Sequence, residues 1–199
     1  MNELSAGLDF ECFEADFLPR LGHRARGFST LFGYLKERAV CHSPLVLVET
    51  GCVRYKQLNW IGDGCSSILF HSFSAITKSQ FISIDINKNN CEIAREYCPA
   101  ATVICGDSVH ELHNLRTKVS KIDLLYLDSY DLDWQKPHES ALHHLKELCA
   151  ASPLLHAGSI VFVDDNNGSV GKGMYIREYM KQIGATQIWD DYQIGFVLA

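Results

Sequence analysis

Short runs of apolar, β-branched residues alternate with amphipathic segments along most of the chain. The first run, LVLVET at 45–50, lies between Pro44 and Gly51 and predicts a buried strand. Similar runs predict further strands at 81–86, 101–107, 122–128 and 158–165. Between the strands, apolar residues recur at helical spacing and predict helices at 67–78, 91–98, 109–119, 139–152 and 172–184.

The end of the chain departs from this alternation. Residues 185–199 contain two β-like runs that are separated only by Asp190 and Asp191. Because no helix connects them, these two strands must be antiparallel. The five preceding strand–helix units imply a parallel sheet with helices on both faces. The pattern therefore predicts an α/β fold with a doubly wound, mostly parallel seven-stranded sheet that ends in an antiparallel β-hairpin.

The first 40 residues do not alternate in this way. The segment FSTLFGYLKERA at 28–39 has the spacing of an amphipathic helix. We therefore expect a helical arm or lid at 1–40, and a domain at 41–199 that contains the sheet.

Composition narrows the class of protein. The 199 residues carry a net charge of −6. Because such an acidic chain has no excess of positive charge to bind phosphate backbones, we expect no nucleic-acid partner. No run of 18 apolar residues occurs and the N-terminus is acidic, so we expect a cytoplasmic protein without a membrane span or a signal peptide. The eight cysteines form no CxxC pair, which argues against the common zinc motifs.

Acidic residues stand at the ends of all five predicted parallel strands. In open α/β sheets, ligands bind outside the carboxyl ends of the strands. Helix capping explains one or two acids at such positions, but it explains five poorly. The strand ends carry Glu49, Asp85, Asp107, Asp128 and the sequence Asp164-Asp165-Asn166.

Three of these acids indicate the kind of cofactor. Asp85, after the second strand, suits the hydroxyls of a ribose. Asp107 can accept a hydrogen bond from the exocyclic amine of adenine. Glu49 faces the first turn, where a carboxylate would repel a pyrophosphate and favour an amine-bearing tail. Neither GxGxxG nor GxxxxGK[ST] is present. Adenosine with an amino-acid tail describes S-adenosylmethionine.

The glycine turn after the first strand is interrupted. Gly51 follows the strand directly, but the stretch 52–61 intervenes before Gly62 and Gly64. We expect these two glycines to resume the close backbone approach to the cofactor, and Ser66 to begin the next helix. Arg54, Tyr55 and Trp60 in the interruption are candidates for covering the cofactor or contacting the substrate, or they belong to a solvated surface loop.

Five motifs in this order resemble class I S-adenosylmethionine-dependent methyltransferases. They are VETG (48–51), SID (83–85), CGDS (105–108), LLYLDSYD (124–131) and VFVDDN (161–166), and the resemblance covers about residues 45 to 199. It implies a Rossmann-like methyltransferase domain at 41–199. Glu49 and Gly51 would line the methionine side of the cofactor, Asp85 would hold the ribose, and Asp107 with Ser108 would flank the adenine.

A narrower resemblance concerns the metal-dependent O-methyltransferases of the catechol and caffeoyl-coenzyme A type. These enzymes carry an Asp after the fourth strand and Asp-Asn after the fifth, matched here by Asp128, Asp165 and Asn166. The resemblance implies Mg²⁺ bound by these three residues, with Asp128 also at the cofactor. Asp164 is the alternative ligand from the fifth strand, because alternation directs only one of the pair into the site.

The sequence departs from that narrower pattern at the general base. The catechol type has a Lys three residues after its first metal-binding Asp, and this chain has Asp131 there. The candidate catalytic residues are therefore Asp128, Asp131 and His144, while His138 and His143 are further residues that could reach the site.

The resulting expectation is an S-adenosylmethionine-dependent methyltransferase that methylates a hydroxyl of a small-molecule acceptor. Mg²⁺ is a candidate second cofactor, and a homodimer is the candidate assembly. Tyr130 and Trp134 are candidates for the acceptor wall. The loop 166–173 is either a mobile substrate loop or a turn, and Lys172 is its cation. The alternatives are a metal-independent methyltransferase with an Asp base, a nicotinamide-dependent oxidoreductase and a non-catalytic nucleotide-binding protein.

Overall fold

A seven-stranded sheet forms the centre of the computed structural model, which describes residues 10–42 and 44–199. Its strands follow the order β3-β2-β1-β4-β5-β9-β8, and a separate small hairpin pairs β6 with β7. The strands are β1 (Val46–Thr50), β2 (Gln80–Asp85), β3 (Thr102–Cys105), β4 (Ile122–Leu127), β5 (Leu155–Val163), β6 (Asn166–Asn167), β7 (Val170–Gly171), β8 (Thr186–Asp190) and β9 (Ile194–Val197).

The direction of the strands confirms the predicted topology. Strands β1 to β5 are all parallel, and β9 is antiparallel to both β5 and β8. Strand β1 lies between β2 and β4, so the strand order reverses there. This reversal is the topological switch point at which doubly wound sheets bind ligands.

Within residues 10–42 and 44–199, eight α-helices surround the sheet. They are α1 (Phe10–Phe17), α2 (Ala25–His42), α3 (Trp60–Asp63), α4 (Ser66–Thr77), α5 (Lys88–Tyr97), α6 (Ser108–Asn114), α7 (Pro137–Ala151) and α8 (Met174–Gln182). Two of the predicted strand-to-helix turns carry side-chain caps: Asn87 accepts from the backbone N–H of Asn89 at 2.9 Å, and Asp107 accepts from that of His110 at 2.9 Å. The short helix α3 was not predicted from the sequence.

Alternate residues of each strand supply two hydrophobic cores. Leu47 and Tyr126 pack against α1, α2 and α4 on one face, whereas the next residues, Val48 and Leu127, pack against α6, α7 and α8 on the other. Helices therefore cover both faces, as the sequence predicts.

Helix α2 is part of the first of these cores. Its residues Phe28, Leu31 and Leu35 have no exposed surface. The helix continues to His42, through the boundary that we placed at residue 40, and the division into 1–40 and 41–199 stays a prediction. Residues 1–9 of the expected arm lie outside the described part of the chain. Among residues 10–42 and 44–199, no helix is both long and apolar enough to cross a membrane.

Candidate functional site

A cleft of about 200 Å³ opens at the carboxyl ends of β1, β2 and β4. Two larger depressions lie elsewhere: one of about 530 Å³ on the loop 55–59, and one of about 460 Å³ beside Trp134 and Tyr192. Neither contains a residue that we predicted to bind S-adenosylmethionine. The strand-end cleft brings together five of the predicted site residues, and its wall consists of Gly51, Cys52, Val53, Arg54, Asp63, Cys65, Ser66, Asp85, Ile86, Asn87, Asn90, Asp128, Ser129 and Asp131.

Gly51 allows the loops after β1 and β4 to approach each other. Its φ of +80° lies in the left-handed region, and a Cβ there would collide with the backbone carbonyl of Asp128. Its N–H donates to the carbonyl of Ile84 at 2.8 Å, which continues the pairing with β2. Only glycine fits this turn without strain.

Asp85 lies at the end of β2, on the wall of the cleft. Its carboxylate accepts from the backbone N–H of Asn87 at 2.7 Å, from that of Cys52 at 3.1 Å and from the amide of Asn90 at 3.2 Å. These contacts hold the carboxylate in one orientation beside Gly51, where the sequence places a ribose-binding acid.

Glu49 does not face the cleft, in contrast to our prediction. It has no exposed surface, and its carboxylate accepts from the hydroxyls of Ser66, Ser67 and Ser83, the last two at 2.7 Å. Burial raises the pKa of Glu49 to about 7, although the three hydroxyls oppose the shift. Because Glu49 is on the same side of β1 as Leu47, it joins β1 to β2 and α4 instead of contacting a cofactor.

The glycines after the interruption also differ from prediction. Gly62 lies within α3 and Gly64, with φ +68°, ends that helix, so neither forms the cleft wall. Their neighbours Asp63 and Cys65 do line the cleft. Ser66 lines it as well, but its hydroxyl is bound to Glu49.

Arg54 crosses the mouth of the cleft. Its guanidinium lies 3.1 Å from Asp63 and 2.8 Å from Asp131. The interruption 52–61 therefore contributes a side chain to the rim, which agrees with one of the two alternatives that we considered for Arg54. Asp131, a predicted catalytic residue, is 79% exposed and is held by this ion pair.

The structure does not place the two predicted adenine-binding residues, Asp107 and Ser108, on the wall of the cleft. Asp107 is exposed, caps α6 and lies outside the cleft wall. Ser108 is buried, and its hydroxyl lies 3.1 Å from Nε2 of His143 instead of flanking the cleft. Both residues follow β3, which is separated from β1 by β2.

His144 does not reach the cleft. It has no exposed surface, its Nδ1 lies 2.7 Å from the carbonyl of Ser140, and burial lowers its pKa to about 4. Glu147 is buried beside it and accepts from the hydroxyl of Ser129, a cleft residue, at 2.6 Å. Glu147 could not be singled out from the sequence, because a Glu on an amphipathic helix normally faces solvent. His138 lies at the surface with Tyr175.

Three carboxylates meet beside the cleft. One oxygen from each of Asp128, Asp164 and Asp165 lies within 4.8 Å of the others. The ammonium of Lys172 forms ion pairs with Asp128 and, at 2.9 Å, with Asp165. The guanidinium of Arg24 lies 2.8 Å from Asp164 and 3.2 Å from Asp165. We call these five residues the acid cluster.

Charge within the acid cluster is nearly balanced. Three carboxylates face two cations, which leaves one excess negative charge. Burial, together with the neighbouring carboxylates, raises the pKa of Asp128 to about 8 against the influence of Lys172. The pKa of Asp165 is lowered in spite of its burial. The positive charges of Lys172 and Arg24 and a hydrogen bond from Tyr192 at 2.5 Å all stabilise its carboxylate. Burial also raises the pKa of Asp164, so Asp128 and Asp164 take up a proton more readily than Asp165 does.

The side chain of Asn166, the third predicted metal ligand, is bound within the loop after β5. Its Nδ2 donates to the carbonyls of Val163 at 3.0 Å and Asp164 at 2.9 Å, and its Oδ1 accepts from the N–H of Gly173 at 2.8 Å. All its polar groups are engaged in holding the loop after β5. Asp164, the alternative ligand, supplies the third carboxylate.

The acid cluster does not fit Mg²⁺ as it is arranged. Mg²⁺ requires oxygen ligands at about 2.0–2.1 Å in octahedral geometry. Every carboxylate of the cluster is instead ion-paired with Lys172 or Arg24. A divalent ion would have to displace the Lys172 ammonium. Arg24 was missed from the sequence because it lies 140 positions from Asp164 and no motif marks it.

The sequence matches no family model and no curated protein, but its structure resembles solved methyltransferases. The MycE methyltransferase from the mycinamycin biosynthetic pathway, in complex with Mg and SAH, has a TM-score of 0.59 and 14% identity; the match covers 82% of this chain and 47% of MycE. The O-methyltransferase NovP has a TM-score of 0.59 and 15% identity, and the match covers 84% of this chain and 77% of NovP.

NSun6 from Pyrococcus horikoshii, determined with SFG, is a third similar structure, with a TM-score of 0.52 and 12% identity over 82% of this chain and 50% of NSun6. The chain thus spans about half the length of MycE and of NSun6. At such identities the shared property is the fold. The fold of this chain is that of the class I S-adenosylmethionine-dependent methyltransferases, as the ordered motifs predicted.

Proposed function

We propose that the chain is an S-adenosylmethionine-dependent methyltransferase and that the methyl donor binds in the strand-end cleft. The observation that carries this proposal is the pairing of Gly51 and Asp85 on one cleft wall at the topological switch point. Gly51 permits close approach of the amino-acid tail to the backbone, and the fixed Asp85 carboxylate can accept both ribose hydroxyls.

The remaining donor contacts follow from the same cleft. Ile86 and Asn87, next to Asp85 on the wall, are placed to contact the base. Asp107 stays a candidate for the adenine amine, since its carboxylate is exposed and accepts from the backbone N–H of His110 through Oδ1, so that Oδ2 can accept from the amine. The tail would extend past Gly51 toward Asp128 and Ser129.

We propose that the acceptor is a small molecule that is methylated on a hydroxyl. In this reaction the acceptor oxygen attacks the methyl carbon, the carbon–sulfur bond breaks to give S-adenosylhomocysteine, and the hydroxyl proton passes to a base. Both Asp128 and Asp131 line the cleft, but Asp128 is the better candidate for that base because burial raises its pKa to about 8, whereas Asp131 is 79% exposed and paired with Arg54. This is the metal-independent form of the reaction.

The depression beside Trp134 and Tyr192 supports a small acceptor. It has a volume of about 460 Å³ and includes Asn166 and Tyr192, whose hydroxyl contacts the acid cluster through Asp165. An aromatic wall with polar groups suits a small organic molecule better than a nucleic-acid backbone. The net charge of −6 likewise argues against a nucleic-acid acceptor.

Label transfer tests this proposal. The purified chain is incubated with S-adenosylmethionine, labelled in its methyl group, and a panel of hydroxyl-bearing small molecules, with and without EDTA. We expect transfer to at least one hydroxyl, no effect of EDTA, and a loss of about 100-fold or more in Asp128→Asn. The exposed Asp133→Asn is the matched control. Transfer only to amines, or only in the presence of a divalent ion, would contradict the proposal.

A further inference from the structure

The loop after β5 is a hairpin that returns the chain to the acid cluster. Strands β6 and β7 pair Asn166 with Gly171 and Asn167 with Val170. Gly171 has a φ of +138°, and a Cβ there would collide with the carbonyl of Asp165. Directly after this glycine, the N–H of Lys172 donates to that same carbonyl at 3.1 Å. The hairpin therefore fixes the backbone of Lys172 beside Asp165.

Asn166 locks the hairpin on its other side. Its amide bridges the carbonyls of Val163 and Asp164 to the N–H of Gly173. Gly173 is confined as well, since a Cβ there would collide with the side chain of Ile194. Position 172 is thus held by residues on both sides, and the Lys172 side chain can only extend inward.

The ammonium of Lys172 lies between two carboxylates. Its side chain is only 2% exposed, and it forms ion pairs with Asp128 at the end of β4 and Asp165 at the end of β5. Arg24, itself 4% exposed, neutralises Asp164. A buried ammonium needs such partners, because an unpaired charge in this environment costs several kcal/mol.

We infer that Lys172 is a built-in replacement for a divalent cation: its ammonium fills the space between Asp128 and Asp165 that an ion bound by these carboxylates would occupy. The inference rests on the ion pairs and the hairpin, and it does not depend on the proposed reaction. Its consequence is that the wild-type chain excludes divalent ions from the acid cluster, and that removal of the amine creates a cation site there.

Manganese binding is the direct test. Free Mn²⁺ is measured by electron paramagnetic resonance during titration of the wild type and of Lys172→Ala, and unfolding temperatures are recorded with and without the ion. We expect Lys172→Ala to bind Mn²⁺ at least about tenfold more tightly than the wild type and to gain thermal stability from it, because two carboxylates lose their shared positive charge.

Three variants serve as controls. Lys172→Arg keeps the charge and should not gain binding. The double variant Lys172→Ala/Asp128→Asn should lose the gain, because one ligand has been removed. Lys181→Ala, which alters an exposed lysine of α8, should behave as wild type. If Lys172→Ala does not fold, Lys172→Met keeps the aliphatic volume without the charge and replaces it in the titration.

Two results would overturn the inference. The first is wild-type binding of Mn²⁺ as tight as that of the variant, and abolished by Asp128→Asn, because Lys172 would then move aside for the ion. The second is a folded Lys172→Ala or Lys172→Met with no more Mn²⁺ binding than wild type, because the acid cluster would then not be a latent cation site.

Discussion

Nε of Arg24 donates a hydrogen bond to Oδ2 of Asp164 at 2.8 Å, although 140 positions separate the two residues. Both side chains are buried, and Arg24 also donates to the carbonyl of Ile61 at 2.9 Å. One guanidinium thus joins the segment before α2 to the end of β5 and to α3. The geometry of the acid cluster depends on this contact as well as on Lys172.

Substitution of Arg24 should destabilise the fold strongly. Arg24→Met leaves the buried Asp164 without its cation, and we expect a loss of about 3–5 kcal/mol in the free energy of unfolding. Urea denaturation measures the loss. Arg20→Ala, which removes an exposed arginine from the same segment, should change stability by no more than about 1 kcal/mol. If the two substitutions lower the free energy of unfolding equally, the ion pair between Arg24 and Asp164 does not stabilise the fold specifically.

Glu49 should make stability depend on pH. Its pKa is raised from 4.5 to about 7 on folding, so the folded state binds this proton more tightly. The resulting stabilisation is complete below pH 4.5 and is lost as pH rises toward 7, by about 3 kcal/mol. Glu49→Gln cannot ionise. The difference in unfolding free energy between wild type and variant should therefore change by this amount across the range, whereas parallel profiles would refute the assignment.

Gly51 should tolerate no side chain. In Gly51→Ala, the left-handed φ and the collision with the Asp128 carbonyl should cost about 1–3 kcal/mol in stability and weaken donor binding. Gly33→Ala is the matched control, because that glycine lies in α2 and no atom lies within 4 Å of an added Cβ. It should stabilise the chain by about 0.5–1 kcal/mol. Thermal and urea unfolding compare the two.

The order of strands and helices was predictable because it depends on local periodicity. Runs such as 122–128 are apolar on both faces, and each is followed by a helical repeat, so the parallel sheet and its final hairpin follow from the pattern. The positions of Gly51, Asp85 and Asp128 at the cleft follow in turn, since the ends of adjacent parallel strands meet at one edge.

The direction of side chains at those strand ends was not predictable. A strand that is buried on both faces has no polar alternation to show which face of the sheet each side chain lies on. The sequence therefore could not show that the side chain of Glu49 lies on the face covered by α4. The partners of the acids come from distant segments: Arg24 from the turn before α2, and Lys172 from a hairpin whose course depends on Asn166. Long-range ion pairs of this kind leave no local signal in the sequence.

The central claim is that the strand-end cleft binds an adenosine with an amino-acid tail. Calorimetric titration of S-adenosylhomocysteine into wild type and Asp85→Ala tests it, with Asp133→Ala as the control and NAD and ATP as competing ligands. We predict one site per chain, binding weakened by about 10- to 100-fold in Asp85→Ala and unchanged in Asp133→Ala, and no binding of NAD or ATP. Binding of NAD or ATP without S-adenosylhomocysteine, or equal affinity in Asp85→Ala, would contradict the claim.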